Sequence, residues 1–288
     1  MRRPLRSSKG AGLCDALFLS PHAQDVPLAC TARLAREQRR GSRVLVVSLF
    51  GDESPEWRSV LEGWQVKLLE LGLSSSGDDL RSLLHVLWLR TRARHVYVPL
   101  GVGTDTEHWL VHGVALDVFG GDSRNVFLYE ERPAAFLRGA LRIRLGQLGA
   151  RLPPAGGLND SVGLLRFLAD LYRMPPPGCG PADPHGRLIR TRAAVRAWRL
   201  GRAWRPQRSL GLRLQPIMQA ARPVDVQRAA EAGRVLGRSP KWSPQRFQNL
   251  GQRYARRLGA AEHMERYWLL LPDPEGQYPQ RRIDSSVT

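Results

Sequence analysis

The residues with the clearest capacity for chemistry are two histidines and an aspartate. Ser20-Pro21-His22-Ala23-Gln24-Asp25 sets an imidazole and a carboxylate three residues apart on a turn. Both can reach one cation from there, and an imidazole nitrogen with a carboxylate oxygen suits zinc. Taken alone, the pair reads equally well as an unrelated histidine followed by a helix-capping aspartate. The third group comes much later, in Gly103-Thr104-Asp105-Thr106-Glu107-His108. Two histidines and one carboxylate, with a fourth position left open, form the ligand pattern of a catalytic zinc. His112 lies one helical turn beyond His108 and shares its face, as a proton-transfer group or as a packing histidine.

These side chains can meet only if the elements around them bring their loops together. Asp15–Ser20 is a short apolar run stopped by Pro21, which predicts a buried strand. Asp25–Arg40 has the apolar spacing of an amphipathic helix, with Pro27 tolerated in its first turn and Gly41 as its stop. Arg43–Phe50, His95–Leu100 and Asn125–Tyr129 predict further buried strands. Helices are expected over Glu56–Leu71, Asp79–Arg92, Glu107–Val118 and Pro133–Leu145. Continuous apolar strands separated by helices predict an α/β fold, a mainly parallel sheet covered on both faces. In such sheets ligands sit beyond the carboxyl ends of the strands, which is where His22, Asp25 and His108 fall.

On these residues the chain resembles the PIG-L/LmbE-like zinc-dependent deacetylases, which remove acetyl groups from amino-sugar conjugates. The family's His-Pro-Asp-Asp after the first strand is matched by His22-Ala23-Gln24-Asp25. Its His–x–Asp–His at a helix start is matched by Asp105-Thr106-Glu107-His108, after the lead-in Pro99-Leu100-Gly101-Val102-Gly103. Tyr129-Glu130-Glu131-Arg132-Pro133 and Glu265-Arg266-Tyr267-Trp268 answer to two later motifs of the bacterial branch. The resemblance implies a Rossmann-like fold, one zinc, and His22, Asp25 and His108 as its ligands. It also locates two departures. Gln24 stands where the family keeps its general base, and an amide cannot hold a proton near neutral pH. Asp105 stands where the family keeps a histidine that assists the tetrahedral intermediate or the leaving amine. Losing a general base typically costs about 10²–10⁴ in rate, so a slow or substrate-assisted hydrolase survives, as does one in which Asp105, Glu107 or His112 takes over the proton work. The expected function is a zinc-dependent hydrolase acting on an acetylated amino-sugar conjugate. The alternative is an inactive relative that binds an anionic glycan or nucleic acid.

Other candidates lie along the same edge. Arg58, after the second strand and Asp52-Glu53, could reach a substrate hydroxyl or anion, or pair with Glu62 on its own helix. Tyr129 and Glu130 could line the pocket, with Glu131 beside them, or be plain loop residues.

Composition sets the outer bounds. Among 288 residues, 42% are hydrophobic and 24% charged, ordinary for a globular chain and wrong for a disordered one. No apolar run approaches the about 18 residues of a membrane span, and the basic start lacks an apolar core of signal-peptide length. Three cysteines, Cys14, Cys30 and Cys179, show no zinc-finger spacing, so a reducing cytoplasmic setting is expected. Lys+Arg number 44 against 26 Asp+Glu, and all but Lys9, Lys67 and Lys241 of the basic residues are arginine. No acidic residue occurs from His185 to Val224, a stretch whose arginines run from Arg187 to Arg222 with Trp198 and Trp204 among them. That pattern suits phosphate contacts with stacking, an anionic substrate, or a solvated face whose arginine stems cover tryptophans. The expected layout is a tail over 1–12, a metal-binding core over 13–150, and a helical, arginine-rich region over 151–288 completing the same domain. Gln245–Leu258 and the stretch to Trp268 look helical.

Overall fold

A computed structural model of the chain describes residues 14–51, 54–73, 77–103, 105–120, 125–137, 139–150, 212–237, 244–260 and 263–271. Its centre is a seven-stranded sheet in the order β3-β2-β1-β4-β5-β7-β6. The strands are β1 (Ala16–Ser20), β2 (Val44–Phe50), β3 (Lys67–Leu73), β4 (His95–Pro99), β5 (Asn125–Tyr129), β6 (Leu214–Ala220) and β7 (Met264–Leu270). The first five pair in parallel, with Phe18 opposite Val46 on one side and Tyr97 on the other. β1 and β2 are buried along their whole length, which is why they read as unbroken apolar runs.

The chain runs outward from β1 through β2 to β3, then returns to place β4 on the other flank of β1. The order reverses between β1 and β4, so the loops leaving their carboxyl ends diverge and open a crevice. The loop after β1 carries His22 and Asp25, and the loop after β4 carries Asp105 and His108. Helices α4 (Gly77–Thr91) and α5 (Thr106–Phe119) pack together over one face, around Leu84, Val98, Val111 and Val114. The other face is covered from Phe18, Tyr97 and Phe127 outward by α1 (Asp25–Ala29), α2 (Thr31–Arg39), α3 (Pro55–Gly63) and two C-terminal helices, α7 (Pro223–Gly237) and α8 (Pro244–Arg257).

Four expectations are corrected. The helix expected over 25–40 is two helices, α1 and α2, broken at Cys30 (φ −126°). The helix expected over 56–71 ends at Gly63. Gln65 then takes a left-handed φ of 58°, and Lys67–Leu73 leaves as edge strand β3. Its leucine-rich composition fits either element, and pairing with β2 decides. The helix expected over 133–145 is a 3₁₀ turn at Ala134–Phe136, then α6 (Ala140–Gln147) after the left-handed Gly139. The C-terminal part is not simply helical. Leu214–Ala220 and Met264–Leu270 add two antiparallel strands beside β5, so the sheet is mixed.

β7 also explains the Glu265–Trp268 motif. Glu265 accepts hydrogen bonds from Ala32 N–H (2.7 Å), Arg33 N–H (3.0 Å) and the Thr31 hydroxyl (2.9 Å), closing the start of α2. Arg266 Nε (2.6 Å) and Trp268 Nε1 (2.8 Å) donate to Glu130, which also accepts from Tyr254. The motif is a brace between β5, β7, α2 and α8.

Candidate metal centre

His22 Nδ1, Asp25 Oδ2 and His108 Nε2 face one another at the crevice. Each of the three pairs is separated by 3.3 Å. A tetrahedral zinc with ligands at about 2.0–2.1 Å would set neighbouring ligand atoms about 3.3–3.4 Å apart, so the donor set fits that ion in type and spacing. Asp25 opens α1, and its carboxylate also accepts the backbone N–H of His22 (2.8 Å), which closes the turn. It therefore acts on the turn behind it and does not cap a helix; α1 shows no side-chain cap.

Each imidazole is held from behind by a carboxylate. His22 Nε2 meets Glu107 Oε2 at 2.7 Å, and His108 Nδ1 meets Glu131 Oε1 at 3.3 Å. A histidine that gives its far N–H to a carboxylate keeps the other nitrogen's lone pair for a metal. Burial favours neutral imidazoles, yet hydrogen bonding and charge from Asp25 outweigh it and raise the pKa of both rings. Burial would likewise raise the Asp25 carboxyl, but the rings hold it well below the usual carboxylate range. The cluster is an anionic cradle with two imidazoles, suited to positive charge.

Glu131 does a second task. It accepts Gly101 N–H (2.6 Å) and Val102 N–H (3.2 Å), while Leu100, Gly101 and Pro99 carbonyls accept from Arg144 Nε (2.8 Å), Trp109 Nε1 (2.9 Å) and His112 Nδ1 (2.8 Å). Side chains thus satisfy the Pro99, Leu100 and Gly101 carbonyls and the Gly101 and Val102 N–H groups, while Leu100 N–H donates to the Tyr129 carbonyl (2.8 Å). Gly101 and Gly103 take φ values of 78° and 109°, which suit glycine.

The remaining sequence candidates separate. Asp105 is the N-cap of α5, accepting Glu107 N–H at 2.9 Å, with Oδ2 3.9 Å from His108 Nε2 and its side chain 48% exposed. His22, Asp105 and His108 also present ligand atoms within 4.8 Å of one another. Gln24 is half-buried beside Asp25, and among the described residues its amide has no hydrogen-bond partner. His112 is sealed in the core. Burial, helped by the Arg144 charge, pushes it down to about 3, and its Nε2 is buried without a partner among the described residues. It serves the loop, as a neutral donor to Pro99. Arg58 is bound to Glu70 (Nε 3.0 Å), not to Glu62. Tyr129 is fully buried, its hydroxyl donating to Leu19 O at 2.8 Å. Glu130 is buried in the brace with Arg266. Tyr129 and Glu130 thus have their polar groups engaged inside the fold, while Arg58 is 44% exposed with its guanidinium on Glu70. Asp52, Glu53 and residues 151–211, which hold most of the arginine-rich segment, lie outside the described residues.

Sequence reasoning placed Glu107 only among proton carriers and Glu131 only as a loop carboxylate. The signal for both was present: acidic residues just past strand ends, on the edge that carries His22 and His108.

No family model matches the sequence, and no curated protein matches it. The fold does have solved counterparts. The zinc-inhibited form of teicoplanin deacetylase Orf2 superposes with a TM-score of 0.54 at 13% identity, over 90% of this chain and 99% of that one. A deacetylase–teicoplanin complex gives 0.55 at 14%, with the same coverage. The A40926 pseudoaglycone deacetylase Dbv21 gives 0.53 at 13%, over 89% and 97%. The described residues therefore have the α/β fold of these deacetylases. Among the described residues, no helix is long and apolar enough to cross a membrane.

Proposed function

We propose that the protein is a metal-dependent N-deacetylase acting on an acetylated amino-sugar conjugate, with zinc held by His22, Asp25 and His108. The observation that carries the reading is the 3.3 Å triangle of their three ligand atoms at the sheet's switch point. The fold shared with the teicoplanin and A40926 pseudoaglycone deacetylases supports it. When bound, zinc would supply Lewis acidity toward water and an acetamide carbonyl.

The proton work falls to Asp105. Gln24 cannot take a proton, Glu107 is engaged with His22, and His112 is sealed away. Asp105 has one oxygen fixed by the helix start and the other turned toward His108 on the exposed side. It accepts a proton from the attacking water and returns it to the departing nitrogen, so that amide and water become acetate and amine. Gln24 orients water by hydrogen bonding. In effect the carboxylate has moved from position 24 to position 105, across the same centre.

The test is release of acetate from N-acetylglucosaminyl conjugates by the zinc-loaded protein. Asp105→Asn is expected to lower kcat by about 10²–10⁴. Gln24→Asp is expected to change it less than about tenfold, since the proton already has a carrier. A large gain on Gln24→Asp, with no loss on Asp105→Asn, would place the base back at position 24.

A further inference from the structure

His22 and His108 receive unequal support. The Glu131 partner of His108 is almost wholly buried, and its oxygens are also fixed by two backbone N–H groups. The Glu107 partner of His22 is 28% exposed and sits in the first turn of α5, next to His108 itself. One helical turn therefore supplies a ligand with residue 108 and reaches across to the other ligand with residue 107. The His22 ring is itself 23% exposed, the most open of the three ligand side chains. Asp25 bonds its backbone N–H and faces its Nδ1. The Nε2 edge of the ring is held by Glu107 at 2.7 Å.

We infer that Glu107 is a positioning residue for the metal centre: it fixes the His22 ring with Nε2 protonated and Nδ1 turned to the ion, and so ties the loop after β1 to α5. The inference rests on the metal-centre reading above. The length of the side chain matters, because an aspartate at 107 is one methylene shorter and cannot hold the same oxygen at the ring. Charge matters as well, because a carboxylate strengthens the donor nitrogen across the ring, which a neutral amide does less.

The experiment compares wild type with Glu107→Asp, Glu107→Gln, Glu107→Ala and Asp25→Asn. Zinc affinity is read by chelator competition. The ring N–H signals of zinc-loaded, ¹⁵N-labelled protein are read by NMR. Glu107→Ala and Glu107→Asp are expected to weaken zinc about 10–100-fold and to lose the slowly exchanging Nε2–H signal of His22. Glu107→Gln, which keeps length and an acceptor oxygen, is expected to retain that signal and to bind more tightly than Glu107→Asp. If Glu107→Ala does not fold, Glu107→Asp carries the test. Wild-type affinity and an unchanged His22 signal in Glu107→Asp would overturn the inference while Asp25→Asn still loses zinc. If Asp25→Asn also binds zinc like the wild type, the metal-centre reading itself has failed.

Discussion

At the scale of single residues, carboxylates do different work according to what surrounds them. Asp25 faces two imidazoles, Glu107 and Glu131 stand behind them, and Glu130 is spent on the fold. Glu130 shows why position alone misleads. It follows a strand at the ligand edge, which made it a pocket candidate, yet it is buried against Arg266, Trp268 and Tyr254. Removing its charge leaves the Arg266 guanidinium buried and unpaired. Glu130→Gln is expected to destabilise the protein by roughly 3–5 kcal/mol in chemical denaturation. A loss within about 0.5 kcal/mol, as at an ordinary surface site, would contradict the brace. Glu37, whose partners include Arg33, Ser42, His95 and Tyr97, supplies a pH signature of its own. Burial alone would raise its pKa, but His95, the Arg33 charge, Ser42 and Tyr97 outweigh burial and hold it down to about 2. A carboxyl with a folded pKa below its unfolded value of 4.5 stabilises the fold above that pH and loses the contribution as pH falls toward 2. Stability measured across this window is expected to fall less steeply in Glu37→Gln than in the wild type.

At the scale of elements, the central strands were legible because burial on both faces writes them as unbroken apolar runs. β3 and β7 were not. Lys67–Leu73 is an edge strand with only part of its surface covered, and its leucines, lysine and glutamate satisfy a helical pattern equally well. Met264–Leu270 mixes good helix formers with two aromatics, and only its pairing with β5 and β6 settles the matter. The meeting of His22, Asp25 and His108 was readable because they follow two strands that the topology places side by side. Their supporting carboxylates were harder to read, because which nitrogen each one meets depends on how α5 docks. The loop after β4 gives a direct test of that docking. A Cβ on Gly101 would lie 2.8 Å from Arg144 Nη2 and 3.0 Å from Trp109 Cδ1, at a φ of 78°. Gly101→Ala is expected to cost at least roughly 1–2 kcal/mol of stability from the left-handed backbone alone, and to weaken metal binding by displacing the Glu131 clamp. A variant as stable as the wild type, with unchanged zinc affinity, would show that the loop tolerates what the packing forbids.

At the scale of the whole molecule, a basic chain carries an acidic centre. The formal charge is +18, yet Asp25, Asp105, Glu107 and Glu131 gather around two histidines. Such a gathering is costly unless positive charge shares it; burial lowers the imidazole pKa values, but Asp25 beside both rings raises them further than burial lowers them. A divalent ion at this centre would compete with protons for the imidazole nitrogens, so binding it would release protons. The deacetylase reading, the role given to Asp105 and the bracing by Glu107 all depend on that ion. The most direct measurement is the zinc content of the purified protein after dialysis, for the wild type and for His108→Gln. The account predicts one tightly held zinc per chain in the wild type and its loss in the variant. A wild type that retains no stoichiometric divalent metal, or a variant that retains as much, would contradict it.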